Sequence, residues 1–292
     1  MLARYLLLLS FITLVMATQA HAYGIFSAGH RAITKRAVEE FGACFPDEKL
    51  TELQGSQVIR GSWREDVTAR KYIAPAWNHF YHPHKTFTAH TLLGERKNSD
   101  DRVRVLRRAI QDLLARGGSE RSIYMTVGRL VHHVQDMTSP AHVVLVKHPP
   151  SSFEAESQML TRAPVSCSRY LRDPIAHPEA THRGTALKTL AAVRSPIKAL
   201  HNERECDRCT WEMFWRESEG ASGFGGYGVL GNRFGQTVIT AEGGDVYRVE
   251  EGTYSDFMTH RLSDAVDGTV QVLRWVQRER TRISRRGLKG PE

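Results

Sequence analysis

The sequence predicts an all-α fold, a single multi-helix domain carrying one short β-hairpin near residues 238–249. Three observations lead there. Apolar residues recur at the 3.6-residue period along much of the chain, the periodic stretches stop at Gly, Pro or Ser, and alternating strand patterns are few. Ala28 to Phe41 opens the series, with Ile33, Ala37, Val38 and Phe41 apolar. Asp100 to Arg116 sets Val103, Leu106, Ile110, Leu113 and Leu114 on one stripe and stops at Gly117-Gly118. Ser119 can cap the next helix, which runs to about Met137 through Ile123, Val127, Leu130, Val131 and Val134. Further helices are predicted over Phe153–Arg162, Pro178–Val193 and Ser255–Arg282. Val238-Ile239-Thr240 and Val246-Tyr247-Arg248-Val249 flank Gly243-Gly244 and supply the hairpin. Gly220 to Gly235 is glycine-rich and reads as an extended loop over an active site.

The N-terminus reads as a signal peptide over residues 1–22. Met1-Leu2-Ala3-Arg4 is a short basic start, Leu6 to Met16 is apolar apart from Ser10 and Thr13, and Ala20-His21-Ala22 is an A-x-A cleavage site. The apolar run is shorter than the roughly 20 residues a membrane span needs, and no second run of that length follows. Cleavage leaves Tyr23 first, a domain over residues 23–282 and a basic tail over 283–292. The expected location is periplasmic or secreted. Losing Arg4 lowers the net charge from +8 to +7. Such a surface attracts nucleic-acid phosphates or anionic lipid head groups, although ordinary solvated charge would look the same. Four cysteines, Cys44, Cys167, Cys206 and Cys209, allow two disulfides in three pairings. Cys206-Asp-Arg-Cys209 can close on itself, pair outward or be a redox motif, and with no βαβ pattern around it a structural bridge is the favoured reading. A second CxxC, which a four-cysteine zinc site would need, is missing, and so is a GxSxG nucleophile motif.

The residues that carry chemistry are spread along the first half. His132 and Asp136 stand four apart and project from one face of a helix. Pro140 is expected to end that helix, with His142 just beyond the bend. Imidazole nitrogens and carboxylate oxygens are the usual ligands of zinc where thiolates are absent. Upstream lie His30, the acidic step Glu65-Asp66, and His79 in Asn78-His79-Phe80-Tyr81-His82-Pro83. Downstream lie His148 and Glu154 in His148-Pro149-Pro150-Ser151-Ser152-Phe153-Glu154.

In this order the motifs resemble those of the zinc-dependent phospholipase C family, which includes the small bacterial phosphatidylcholine-hydrolysing enzymes and the clostridial alpha-toxin catalytic domain. Fungal single-strand-specific nucleases are distant relatives. The likeness spans residues 23–154 and rests on Gly29-His30, Asp66 followed by His79-Phe80-Tyr81-His82-Pro83, His132, Asp136 and His142, and the pair His148 and Phe153-Glu154. It implies an all-helical domain around three zinc ions. One ion would take Asp66, His79, His132 and Asp136, and a second His142, His148 and Glu154. The third would take His30, Asp136 as a bridge, and the amino and carbonyl groups of Tyr23. Two features depart from the family. Familiar members begin with Trp where Tyr23 stands, and their last His and acidic residue are four apart on a helix. Here the gap is six, with Pro149-Pro150 between.

The implied activity is hydrolysis of phosphodiester bonds by an activated water, with Asp66 as ligand and general base. The resemblance favours a phospholipase C that meets its phospholipid substrate at a membrane surface and releases diacylglycerol and a phosphorylated head group. A zinc-dependent single-strand nuclease or 3′-nucleotidase, with nucleic acid as substrate, is the alternative. The Gly-Gly-Asn segment associated with those nucleases is absent after His142. A non-catalytic secreted zinc protein is the third reading.

Overall fold

The protein is described by a computed structural model over residues 29–67, 79–85, 89–91, 94–96, 98–146, 167–172, 174–220 and 223–287. The predicted signal peptide and the helix expected over Phe153–Arg162 lie outside these residues. The fold is all-α with small accessory sheets. Helix α1 covers residues 29–44, α2 Glu52–Val67, α3 Ser99–Ala115, α4 Glu120–Asp136, α5 Pro140–Val143, α6 Cys167–Arg172, α7 Pro178–Val193 and α8 Glu251–Gly287. The expected helices α1, α3 and α4 fall where their apolar stripes put them, and α7 forms from Pro178 to Val193 as expected, although it buries His182, Thr185 and Thr189 beside its apolar residues. Two expectations change. Pro140 sits in the first turn of α5 rather than simply ending α4, which already stops at Asp136. Its fixed φ and missing N–H suit that position. The last helix also runs past Arg282 to Gly287, so the basic tail begins as helix.

α4 is the central element. From Val127 to Asp136 every residue except Arg129 is buried, and the face that meets the core includes Val127, Leu130, Val131 and Val134. α3 covers it with Val103, Leu106 and Ile110, and α8 with Val266, Val270 and Leu273. α8 approaches closely at Gly268, where a Cβ would stand 2.6 Å from Val134 Cγ1. Side-chain caps start both helices flanking Gly117: Asn98 accepts from the Asp101 N–H and Ser119 from the Ser122 N–H.

α2 has no apolar stripe and packs on α4 by another device. Gly61 and Gly128 face each other, and a Cβ on either would collide with backbone of the opposite helix. The two backbones therefore touch with no side chain between them. A capping box starts α2. Thr51 Oγ1 accepts from the Gln54 N–H at 3.2 Å while Gln54 Oε1 accepts from the Thr51 N–H at 3.0 Å.

Strands β1 (Ala89–Thr91) and β2 (Gly94–Arg96) pair antiparallel. The expected hairpin forms as β7 (Val238–Thr240) and β8 (Val246–Val249), and it grows into a four-stranded antiparallel sheet. β3 (Ala199–His201) joins the free edge of β8, and β4 (Arg204–Glu205) follows it. β5 (Trp215–Arg216) pairs with β6 (Gly226–Tyr227), so the glycine-rich segment expected to be extended contains a strand. An aromatic cluster of Trp211, Phe214, Trp215, Phe234, Tyr254 and Phe257 ties these strands to α8. Two disulfides settle the open pairings. Cys44 joins Cys167, fastening α1 to α6, and Cys206 closes on Cys209.

Candidate metal centre

Asp136, at the end of α4, is the focus of the site. It is buried, and imidazoles face both of its oxygens. Oδ2 lies 2.7 Å from His79 Nδ1 and 3.2 Å from His132 Nε2, and Oδ1 lies 3.3 Å from His30 Nε2 and 3.7 Å from His142 Nδ1. Four elements supply these groups: α1 brings His30, the segment before α3 brings His79, α4 brings His132 and Asp136, and α5 brings His142. Burial raises the Asp136 carboxyl, but the imidazoles of His132, His79 and His142 around it outweigh burial and hold the group well below the usual carboxylate range.

The hydrogen bonds behind the imidazoles decide which nitrogens carry protons. His132 Nδ1 meets the Ser62 carbonyl at 2.7 Å, and a carbonyl only accepts. With Nδ1 donating there, His132 turns Nε2 toward Asp136 Oδ2 and toward His79 Nδ1, 3.0 Å away. His30 repeats the pattern. Thr269 Oγ1 donates to the Ala265 carbonyl, so it accepts from Gln135 Nε2 at 3.0 Å, and Thr34 Oγ1 also accepts from that amide at 2.9 Å. This orients Gln135 so that its Oε1 accepts from His30 Nδ1 at 2.8 Å. His30 Nε2 then also points a lone pair at the carboxylate. His142 Nδ1 donates to the His79 carbonyl at 3.1 Å. Lone pairs facing a carboxylate repel unless a cation or a proton stands between them. Backbone and amide partners that fix one imidazole nitrogen and aim the other are the usual support of metal-ligating histidines. The donor set fits a divalent metal.

Of the residues predicted to bind metal, the structure brings together His30, His79, His132, Asp136 and His142. Tyr23, His148, Glu154 and the Asp66 side chain lie outside the described residues. Asp66 itself sits in the last turn of α2. The ligand atoms of His30, His132 and Asp136 lie within 4.8 Å of one another, and so do those of His79, His133 and Asp136. His133 is absent from the predicted set. The i,i+4 spacing that singles out His132 and Asp136 passes over its neighbour, and only the packing of α2 and α3 shows that both histidines are buried at the site.

An apolar wall stands on one side. The Phe80 ring stacks on His142 at 5.1 Å between centroids, Phe224 meets Phe80 edge-on at 6.1 Å, and Leu145 completes the group. Phe224 comes from the glycine-rich segment and packs against Phe80.

No protein-family model matches the chain, and no curated protein is found similar to it. Among solved structures it is similar to the alpha-toxin of Clostridium perfringens isolated from avian strain SWCP. The TM-score is 0.46 and the identity 10%, over 90% of this chain and 64% of the toxin chain. The chain thus spans less than two thirds of that protein's length.

Proposed function

We propose that the protein is an exported zinc hydrolase of phosphodiesters, and specifically a phospholipase C that acts on glycerophospholipids at a membrane surface. The observation that carries this reading is the buried Asp136 carboxylate with two imidazoles on each oxygen, two of them aimed by fixed tautomers. A carboxylate with imidazoles at both oxygens would suit a shared ligand, with His79 and His132 beside Oδ2 and His30 beside Oδ1. Sites rich in carboxylate and imidazole are commonly catalytic, whereas closed structural zinc sites lean on cysteine, and both cysteine pairs here are disulfides.

Asp66, His79, His132 and Asp136 would hold one ion. Asp136, His30 and the α-amino and carbonyl groups of Tyr23 would hold another. His142, His148 and Glu154 would hold a third. Zinc supplies a water ionisable near pH 7 and neutralises charge on the phosphoryl oxygens. Asp66 accepts the proton of the attacking water. Phe80, Leu145 and Phe224 keep bulk water from one side of the site and present an apolar surface to the glyceryl part of a lipid. The Tyr23 amine exists only after cleavage behind Ala22, so export and assembly of the centre are coupled. Two disulfides accord with an oxidising compartment. Among the described residues no helix is long and apolar enough to cross a membrane.

The test compares purified protein beginning at Tyr23, with and without zinc chelation, on phosphatidylcholine vesicles and on single-stranded DNA. Chelator-sensitive release of phosphocholine with intact DNA is the expected result. Chelator-sensitive DNA cleavage with intact lipid would keep the metal centre and replace the substrate. A zinc-replete protein inert on both would leave a non-catalytic metal protein. In the same preparation Asp136→Asn should lower the zinc content by more than one ion; loss of one or none would remove its bridging role.

A further inference from the structure

Behind the ligand shell, on the side where α2, α3 and α4 meet, lies a second buried polar group. Glu65 is 3% exposed, yet it is charged and crowded with donors. Its Oε1 accepts from Arg102 Nε at 3.0 Å and Nη2 at 2.8 Å, and its Oε2 from Arg129 Nε at 2.6 Å. Oε1 also lies 3.4 Å from His133 Nε2. An ion cluster of this kind is costly to bury, and apolar packing often serves stability equally well. Its position points to a different use.

The bonds run in one direction. A carboxylate only accepts, so His133 carries its proton on Nε2 and offers a lone pair at Nδ1. Ser99 Oγ, 3.3 Å away, donates to that lone pair and accepts from His182 Nε2 at 2.9 Å. Both nitrogens of His133 are thus committed to protein partners. Its ring lies against two candidate ligands, 5.1 Å from the His79 ring and 5.3 Å from the His132 ring between centroids.

We propose that Glu65 is a positioning residue for the metal centre, acting through His133 to hold the His79 and His132 rings where they converge on Asp136. The proposal rests on the reading of this cluster as a zinc site. On it, His133 is a support behind the ligands and not a ligand, although its nitrogen lies near enough to be taken for one.

The test is a double-mutant cycle on zinc affinity, read by chelator competition alongside zinc content and the thermal unfolding of zinc-stripped protein. Glu65→Gln and His133→Gln should each weaken zinc binding about 10–100-fold. Glu65→Gln should add little in the His133→Gln background, because both act along one path. Glu40→Gln serves as the control. It alters another buried carboxylate, bound by Arg169 and Tyr170 about three turns along α1 from His30, and should leave affinity unchanged. Should Glu65→Gln fail to fold, Ser99→Ala removes the other partner of His133 and should give the same loss. Wild-type affinity in a folded Glu65→Gln protein, additive losses in the cycle, or an equal loss in Glu40→Gln would overturn the proposal. So would loss of a whole ion in His133→Gln with Glu65→Gln unaffected, since His133 would then be a ligand. Wild-type protein that binds no zinc would instead sink the zinc reading itself, and its metal content shows this before any substitution is made.

Discussion

His182 is fully buried, and burial pushes its imidazole down to about 3. In the unfolded chain it titrates near 6.5. The unfolded state therefore binds a proton between these values that the folded state refuses. Stability is complete above pH 6.5 and is lost as pH falls toward 3, by up to about 1.4 kcal/mol per unit. His182→Gln should make the fall of the urea midpoint below pH 6.5 shallower by about one proton. An unchanged slope would show that His182 does not carry this dependence. The same residue marks what the sequence could tell. The i,i+4 pair His132 and Asp136, and the order of histidines around it, were legible because helix geometry alone places them on one face. His133, Ser99, His182 and Glu65 were not. Their roles come from four helices meeting, and no spacing along one helix encodes that.

At the scale of elements, α3 and α4 were legible from apolar period and from punctuation at Gly117 and Ser119, and α7 from its start at Pro178. α2 was not. Its contact face is Gly61 and Ser62 where a stripe reading looks for Leu or Val, although the Thr51 to Gln54 capping box was a signal in plain view. The hairpin over 238–249 was legible. The strand that joins it, Ala199–His201, is too short to show a period. The glycine contact between α2 and α4 makes a specific demand. Gly128→Ala should cost about 1–3 kcal/mol through overpacking, and it should also weaken zinc binding by moving the Ser62 carbonyl off His132. Gly184→Ala, in α7 with open space around it, should instead stabilise by up to about 1 kcal/mol. Thermal unfolding of the pair decides it. A Gly128→Ala protein as stable as wild type would mean that the helices can move apart at no cost.

At the scale of the molecule, the two disulfides should contribute unequally. Cys44 and Cys167 are 123 residues apart, whereas Cys206 and Cys209 are 3 apart. Chain-entropy arithmetic gives about 5 kcal/mol for a loop of the first size and about 2 kcal/mol for the second. Replacing Cys44 and Cys167 by Ala should therefore lower Tm far more than replacing Cys206 and Cys209. Equal shifts would show that strain or residual structure governs instead.

The long bridge has one more consequence. Asp66, His79, His132, Asp136, His142, His148 and Glu154 all fall between its two cysteines, so they belong to a closed covalent ring, with His30 just outside on the helix that carries Cys44. A single peptide cut inside the ring opens it without releasing a fragment. A protease that nicks the chain there leaves one molecule with all of these residues still tethered, and only a reductant added after the cut would let the pieces part.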